Sequence, residues 1–215
     1  MQRLVCLRRQ SHGGSVMTLS RSLCLLIVAV GALPAQQYFP PGALDTASYG
    51  NDSKAIWYAK NLKALHEPSL WELSRDPKAE AYRFLWVRTF HHPIAARLVV
   101  RSSGSGWMHV SETSGKGGYE PGRIIRYGVS WLTKTKTESF LTALKAADFW
   151  NLPTLPVTNE GIVNLDGSQW IVEGVKNGQY HIIDRFSPDT RDPVRAIGVL
   201  ALKLGRFRIR SGELY

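Results

Sequence analysis

The residues best equipped for chemistry lie around Asn177-Gly178. Asn-Gly between alternating apolar residues is the preferred two-residue hairpin turn, because both positions tolerate positive φ. Such a turn sets Val175 opposite Tyr180, Gly174 opposite His181 and Trp170 opposite Arg185. One face then carries Trp170, Val172, Gly174, His181, Ile183 and Arg185, and the other Ile171, Glu173, Val175, Tyr180, Ile182, Asp184 and Phe186. Glu173 and Asp184 become diagonal neighbours about 7–8 Å apart, which suits an acid–base carboxylate pair in a hydrolase. The bland alternative is favoured, since carboxylates on sheets are common: each is neutralised by an arginine or sits at the sheet edge. His181 points away from Glu173 and lies roughly 13 Å along the strand from Arg185, so it forms a dyad with neither. Trp170 and Arg185 face each other as a cation–π pair, either a ligand platform or a satisfied sheet face.

Other motifs fail on spacing. Gly115-Lys116-Gly117 lacks the hydroxyl residue and earlier glycine of a phosphate loop, and Gly104-Ser105-Gly106 leads into a strand. His66-Glu67 opens a zinc-protease pattern that Pro68 and Leu70 break. His91 and His92 are adjacent, and on a strand their rings would diverge, so no metal is assigned. No cofactor is implied. No catalytic residue is assigned either; Glu173, Asp184 and His181 are what an enzyme would use. The ligand-binding candidates are Trp170, His181 and Arg185, with Tyr119 and Glu120 of the loop 117–122.

These residues need a sheet to hold them. From Ala81 the apolar period is two: Tyr82, Phe84, Trp86 and Phe90 share one side, and Arg83, Leu85, Val87 and Thr89 the other. Strands follow over 94–101, 107–113 and 123–132, separated by Ser/Gly loops, which makes a four-strand antiparallel meander. A helix comes next, with Thr135 and Glu138 at capping-box spacing and Phe140, Leu141, Leu144 and Ala147 on its apolar face. After a loop over 153–167 come the hairpin and a last helix from Asp192-Pro193 to Gly205. Residues 206–210, Arg-Phe-Arg-Ile-Arg, read as a short strand or tail. The greasier hairpin face, that of Ile171 and Ile182, is expected to meet the helices. Upstream, 52–65 forms an amphipathic helix with Ala55, Ile56, Ala59, Leu62 and Leu65 as its apolar face, followed by a short turn at 68–73. The fold class is therefore α+β, a mainly antiparallel sheet of about six strands. A helical arm (36–77) precedes a single domain (78–211).

The chain's 215 residues carry 27 Lys+Arg and 17 Asp+Glu, a formal charge of +10. Four arginines and no acid fall in residues 1–35, leaving +6 spread over 36–215 without a basic run longer than two. That distribution argues against nucleic acid as the partner. Arg21 precedes an apolar run of eleven residues, Leu23–Leu33, the length of a signal h-region and short of the roughly 20 needed to span a bilayer. Residues 1–35 thus read as a signal peptide cut after Ala35, or after Ala32, with Met17 as the initiator that leaves a compact signal. Cleavage removes Cys6 and Cys24, so the mature protein is cysteine-free and has no membrane span.

Several stretches together resemble a bacterial family of uncharacterised, secreted proteins. They are residues 82–93, 117–122 and 149–153, and above all Asp166-Gly-x-x-Trp170-x-x-Glu173-Gly174 followed by Tyr180-His181-x-x-Asp184-Arg185-x-x-Pro188. The resemblance spans about residues 80–205 and implies a secreted or envelope α+β domain. It carries no activity, so it transfers no catalytic residues. Phe186 stands where relatives would carry tryptophan, which argues against an essential indole contact there. The expectation is an exported binding or interaction module, secreted or periplasmic, with an envelope protein or an anionic ligand as partner. A hydrolase is the alternative.

Overall fold

Burial patterns sort the strands into middle and edge. β1 (Glu80–Arg88) and β5 (Ser168–Lys176) are each buried at eight of nine positions, as strands covered on both faces must be. β4 (Ile124–Leu132) alternates between exposed and half-buried positions, as an edge strand does. The computed structural model describes residues 36–44, 52–156 and 166–215. It arranges these strands with β2 (Ile94–Val100), β3 (Gly106–Thr113) and β6 (Gln179–Phe186) in one antiparallel sheet, ordered β4-β3-β2-β1-β5-β6. The signal-like segment with its cysteines and Met17, and residues 157–165 of the long loop, lie outside the described residues. Among the described residues no helix is long and apolar enough to cross a membrane.

Helices cover both faces. α3 (Lys134–Ala146) and α4 (Pro193–Leu204) pack Phe140, Leu144, Val194 and Ile197 over Phe84, Trp86, Trp170 and Val172. The rings of Trp86 and Phe84 both lie 5.2 Å from that of Trp170. α4 comes this close because Gly198 has no side chain: a Cβ there would lie 2.6 Å from Trp170 Cε3. On the other face, Tyr38, Phe39 and α1 (Ser53–Ala64) pack Tyr58, Leu62 and Leu65 against Leu85, Val87, Ile171 and Ile182. The short α2 (Leu70–Leu73) closes the corner over Ala81 and Val175.

The hairpin register is the one its turn dictates, with Trp170 opposite Arg185 and Val175 opposite Tyr180. Asn177 and Gly178 take φ values of 52° and 76°, so both turn residues are left-handed. α4 is capped by Asp192, whose carboxylate accepts from Val194 N at 2.8 Å.

Elsewhere the expectations need correction. The face bearing Trp170 and His181 also meets helices, indeed the α3–α4 pair. In a doubly covered strand, greasiness does not tell one face from the other. The cap of α3 is Thr133 rather than Thr135, because β4 runs to Leu132 and turns directly into the helix. Ile56 is 66% exposed; Tyr58 faces inward instead, its hydroxyl bonded to Asp184. Phe90 lies beyond the end of β1, in a turn. Residues 206–210 join no ladder.

Candidate functional site

The two carboxylates on the hairpin are diagonal neighbours, as read, but each is bound to its own partners. Glu173 is fully buried: Arg83 Nε and Nη2 donate to its Oε2 at 2.8 and 2.5 Å, and the Tyr180 hydroxyl donates to Oε1 at 2.8 Å. Arg83 Nη1 donates to Pro68 O at 2.6 Å and lies 3.5 Å from Glu67, which also takes Arg97 Nε at 2.7 Å. Burial opposes the Arg83 charge, but Glu173 and Glu67 outweigh it and raise its pKa. Asp184, 1% exposed, receives Lys54 Nζ at 2.7 Å and the Tyr58 hydroxyl at 3.0 Å. Asp184 ties the 36–77 segment to the sheet directly, and Glu173 does so only through Arg83, which bonds Pro68 O and faces Glu67. Neither faces solvent.

The trio on the opposite face is packed as well. Trp170 is wholly buried under α4, with Nε1 donating to Ser168 Oγ at 2.8 Å and to the Tyr215 main-chain oxygen at 3.0 Å. Its cation is Arg195, 5.3 Å from the ring; the expected Trp170–Arg185 pair does not form. Arg185 is drawn away to Pro153 O and Thr154 O, at 2.9 and 3.0 Å. His181 Nε2 lies 2.9 Å from Leu152 O, and its ring meets Phe149 edge-on at 5.1 Å. A carbonyl only accepts, so Nε2 carries the proton. Burial lowers the His181 pKa against the opposing pull of that bond.

The glycine loop does position an open site. Gly118 N donates to Thr89 O and Gly117 N to His91 O, at 3.2 and 3.0 Å, which ties the loop to the turn after β1. Contact is so close that a Cβ on Gly117 would sit 2.7 Å from Arg88 O. Trp57 Nε1 donates to Gly117 O at 2.7 Å, and Lys60 pairs with Glu120 at 2.6 Å. Tyr119 is exposed, its ring 6.3 Å from that of Phe90.

Phe90 is one wall of a cleft of about 430 Å³, within the usual range for small-molecule sites. His91, His92, Glu112 and Arg126 continue the wall, and Arg206, Phe207, Arg208 and Glu213 of the C-terminal segment close the far side. Arg126 donates to Gly205 O and Arg206 O at 3.2 and 3.0 Å, capping the end of α4. His91 Nδ1 lies 2.5 Å from the Tyr215 hydroxyl, and His92 Nδ1 3.1 Å from Glu112. Burial, then Arg88, lowers the His91 pKa.

Arg88 also lines this cleft, and its surroundings are incomplete. It is 3% exposed and stacks 4.1 Å above the Trp86 ring. Its Nη2 donates to His92 O at 3.0 Å, its nearest carboxylate is Glu213 at 4.0 Å, and Nε has no partner among the described residues. Burial lowers its pKa, only partly offset by Tyr215, Glu213 and Glu112. A buried guanidinium short of counter-charge is a costly arrangement that an incoming anion relieves. No known family model matches this chain, and no curated protein matches it.

Sequence reasoning missed the cleft because it is assembled from four separated segments. One signal was present: Arg88 ends a strand face otherwise made of Tyr82, Phe84 and Trp86. Among the described residues no group of three or more His, Cys, Asp or Glu side chains is placed to hold a metal ion.

Proposed function

We propose that the chain is an exported binding module, working in the periplasm or outside the cell, whose cleft holds an anionic group of a small ligand, a carboxylate or a phosphate. The observation that carries this reading is Arg88, buried and stacked on Trp86 with no carboxylate at hydrogen-bond distance. The lining supports it, with four arginines against Glu112 and Glu213. The signal-like N-terminus and the resemblance to secreted bacterial proteins support export. Hydrolysis through Glu173 or Asp184 finds less support, since both carboxylates are shut away from solvent.

Binding is tested by titrating inorganic phosphate and, separately, citrate at constant ionic strength, with tryptophan fluorescence as the readout through Trp86. A saturable change with either anion, lost in Arg88→Met, is expected; the same change in the variant would overturn the assignment of the site. Export is tested by fractionation and intact mass. A cytoplasmic protein retaining residues 1–35 would overturn that part.

A further inference from the structure

The two edges of the sheet are finished differently. At the β6 edge, Thr154 O accepts from Asp184 N at 2.7 Å, and Pro153 O and Thr154 O accept from Arg185 at 2.9 and 3.0 Å. A neighbouring segment therefore occupies that edge. β4 pairs, among the described residues, with β3 alone. It runs nine residues without proline, and its single charge, Arg126, belongs to the helix-covered face, where it caps α4. Its other face exposes Ile125, Tyr127, Val129 and Trp131 at 50, 60, 47 and 44%, joined by Trp107 of β3 at 39%. The Trp107 and Trp131 rings meet edge-on at 4.9 Å. A long edge strand whose one open face is apolar and uncharged is what monomeric proteins avoid.

We infer that the occupant of this edge is a second copy of the chain, with the two β4 strands antiparallel about Gly128 and the two sheets joined into one. Pairing about Gly128 is the register that matches all nine residues of Ile124–Leu132. It sets Ile125 opposite Trp131 and Tyr127 opposite Val129, aromatic against aliphatic or β-branched, which are favourable cross-strand pairs. Arg126 falls opposite Ser130, so no like charges meet within the ladder. These side chains still point off the joined sheet, so pairing buries only part of the stripe. The contact falls below the roughly 1,200 Å² of a standard stable interface, and the dimer is a weak one that forms at tens of micromolar. Arg101, 5.5 Å over the Trp131 ring, and Arg123 stand at the ends of the stripe. Their mutual repulsion across the dimer is screened by salt, so association strengthens as ionic strength rises.

The test is light scattering on the size-fractionated secreted protein at tens of micromolar, in low and in moderate salt. A dimer is expected, more populated at the higher salt, and Val129→Lys and Tyr127→Glu, both exposed, should each give a folded monomer by circular dichroism. A wild-type monomer at both salt concentrations would overturn the inference, as would a dimer that both variants leave intact. Arg126 of β4 also lines the anion cleft, but on the helix-covered face, and neither Val129 nor Tyr127 does, so the two variants read association while Arg88→Met reads binding.

Discussion

Arg83 and Arg88 lie on one strand, five residues apart, both buried, on opposite faces of the sheet. Arg83 has Glu173 at 2.5 Å, Glu67 at 3.5 Å and a carbonyl at 2.6 Å. Arg88 has one carbonyl at 3.0 Å, an indole face, and a carboxylate at 4.0 Å that is itself 37% exposed. The first arginine is closed into the structure. The second is held ready beside a cleft. Completeness of partners, more than burial or charge, separates a structural ion pair from a binding group.

Breaking the closed site should have the largest effect. Arg83→Met leaves the buried Glu173 without its cation, and Glu67 with Arg97 alone, and should cost about 3–5 kcal/mol in urea unfolding. The double change Arg83→Met with Glu173→Gln should recover part of that loss; no recovery would mean that the pair is not the source of the cost. Gly198→Ala crowds Trp170 beneath α4 and should cost about 1–3 kcal/mol while leaving the anion response in place. Arg88→Met keeps a side chain over Trp86 and removes an under-compensated cation, so stability should move by no more than about 1 kcal/mol. That variant should nevertheless lose the anion response. A loss of stability as large as that of Arg83→Met would erase the contrast between the two arginines.

The smallest effect is that of pH. Burial, then Arg97, lowers the His109 pKa, and burial lowers that of His181, with the Leu152 bond opposing and Arg185 adding to the shift. Below an ordinary pKa of about 6.5 the unfolded chain therefore binds more protons than the folded one. Stability is full above that pH and declines as pH falls through it. Urea midpoints at pH 7.5 and 5.5 should show the decline, and His181→Gln should flatten it.

Much of this architecture was legible in the chain. Asn177-Gly178 is a local signal strong enough to set the whole β5–β6 register, and Asp192-Pro193 and Gly205 bound α4 without tertiary help. Which hairpin face met which helices was not legible, because β1 and β5 are apolar on both sides. The partners of Glu173 were out of reach for a different reason: Arg83 lies 90 residues away, and the pairing exists only once β1 docks between β2 and β5. The loop 117–122 supplied the candidates Tyr119 and Glu120, and what its sequence did not reveal is that its main chain is bonded to Thr89 and His91, beside the cleft.

The central claim, that Arg88 is an anion-binding group and Arg83 is not, is tested most directly by the arginine Nε–H signals in a ¹⁵N-labelled sample titrated with inorganic phosphate, then with citrate. The Arg88 signal, assigned by its loss in Arg88→Met, should shift saturably with at least one of the two anions while that of Arg83 stays fixed. An Arg88 signal that neither anion moves at millimolar concentration, or an Arg83 signal that moves with it, would contradict the account.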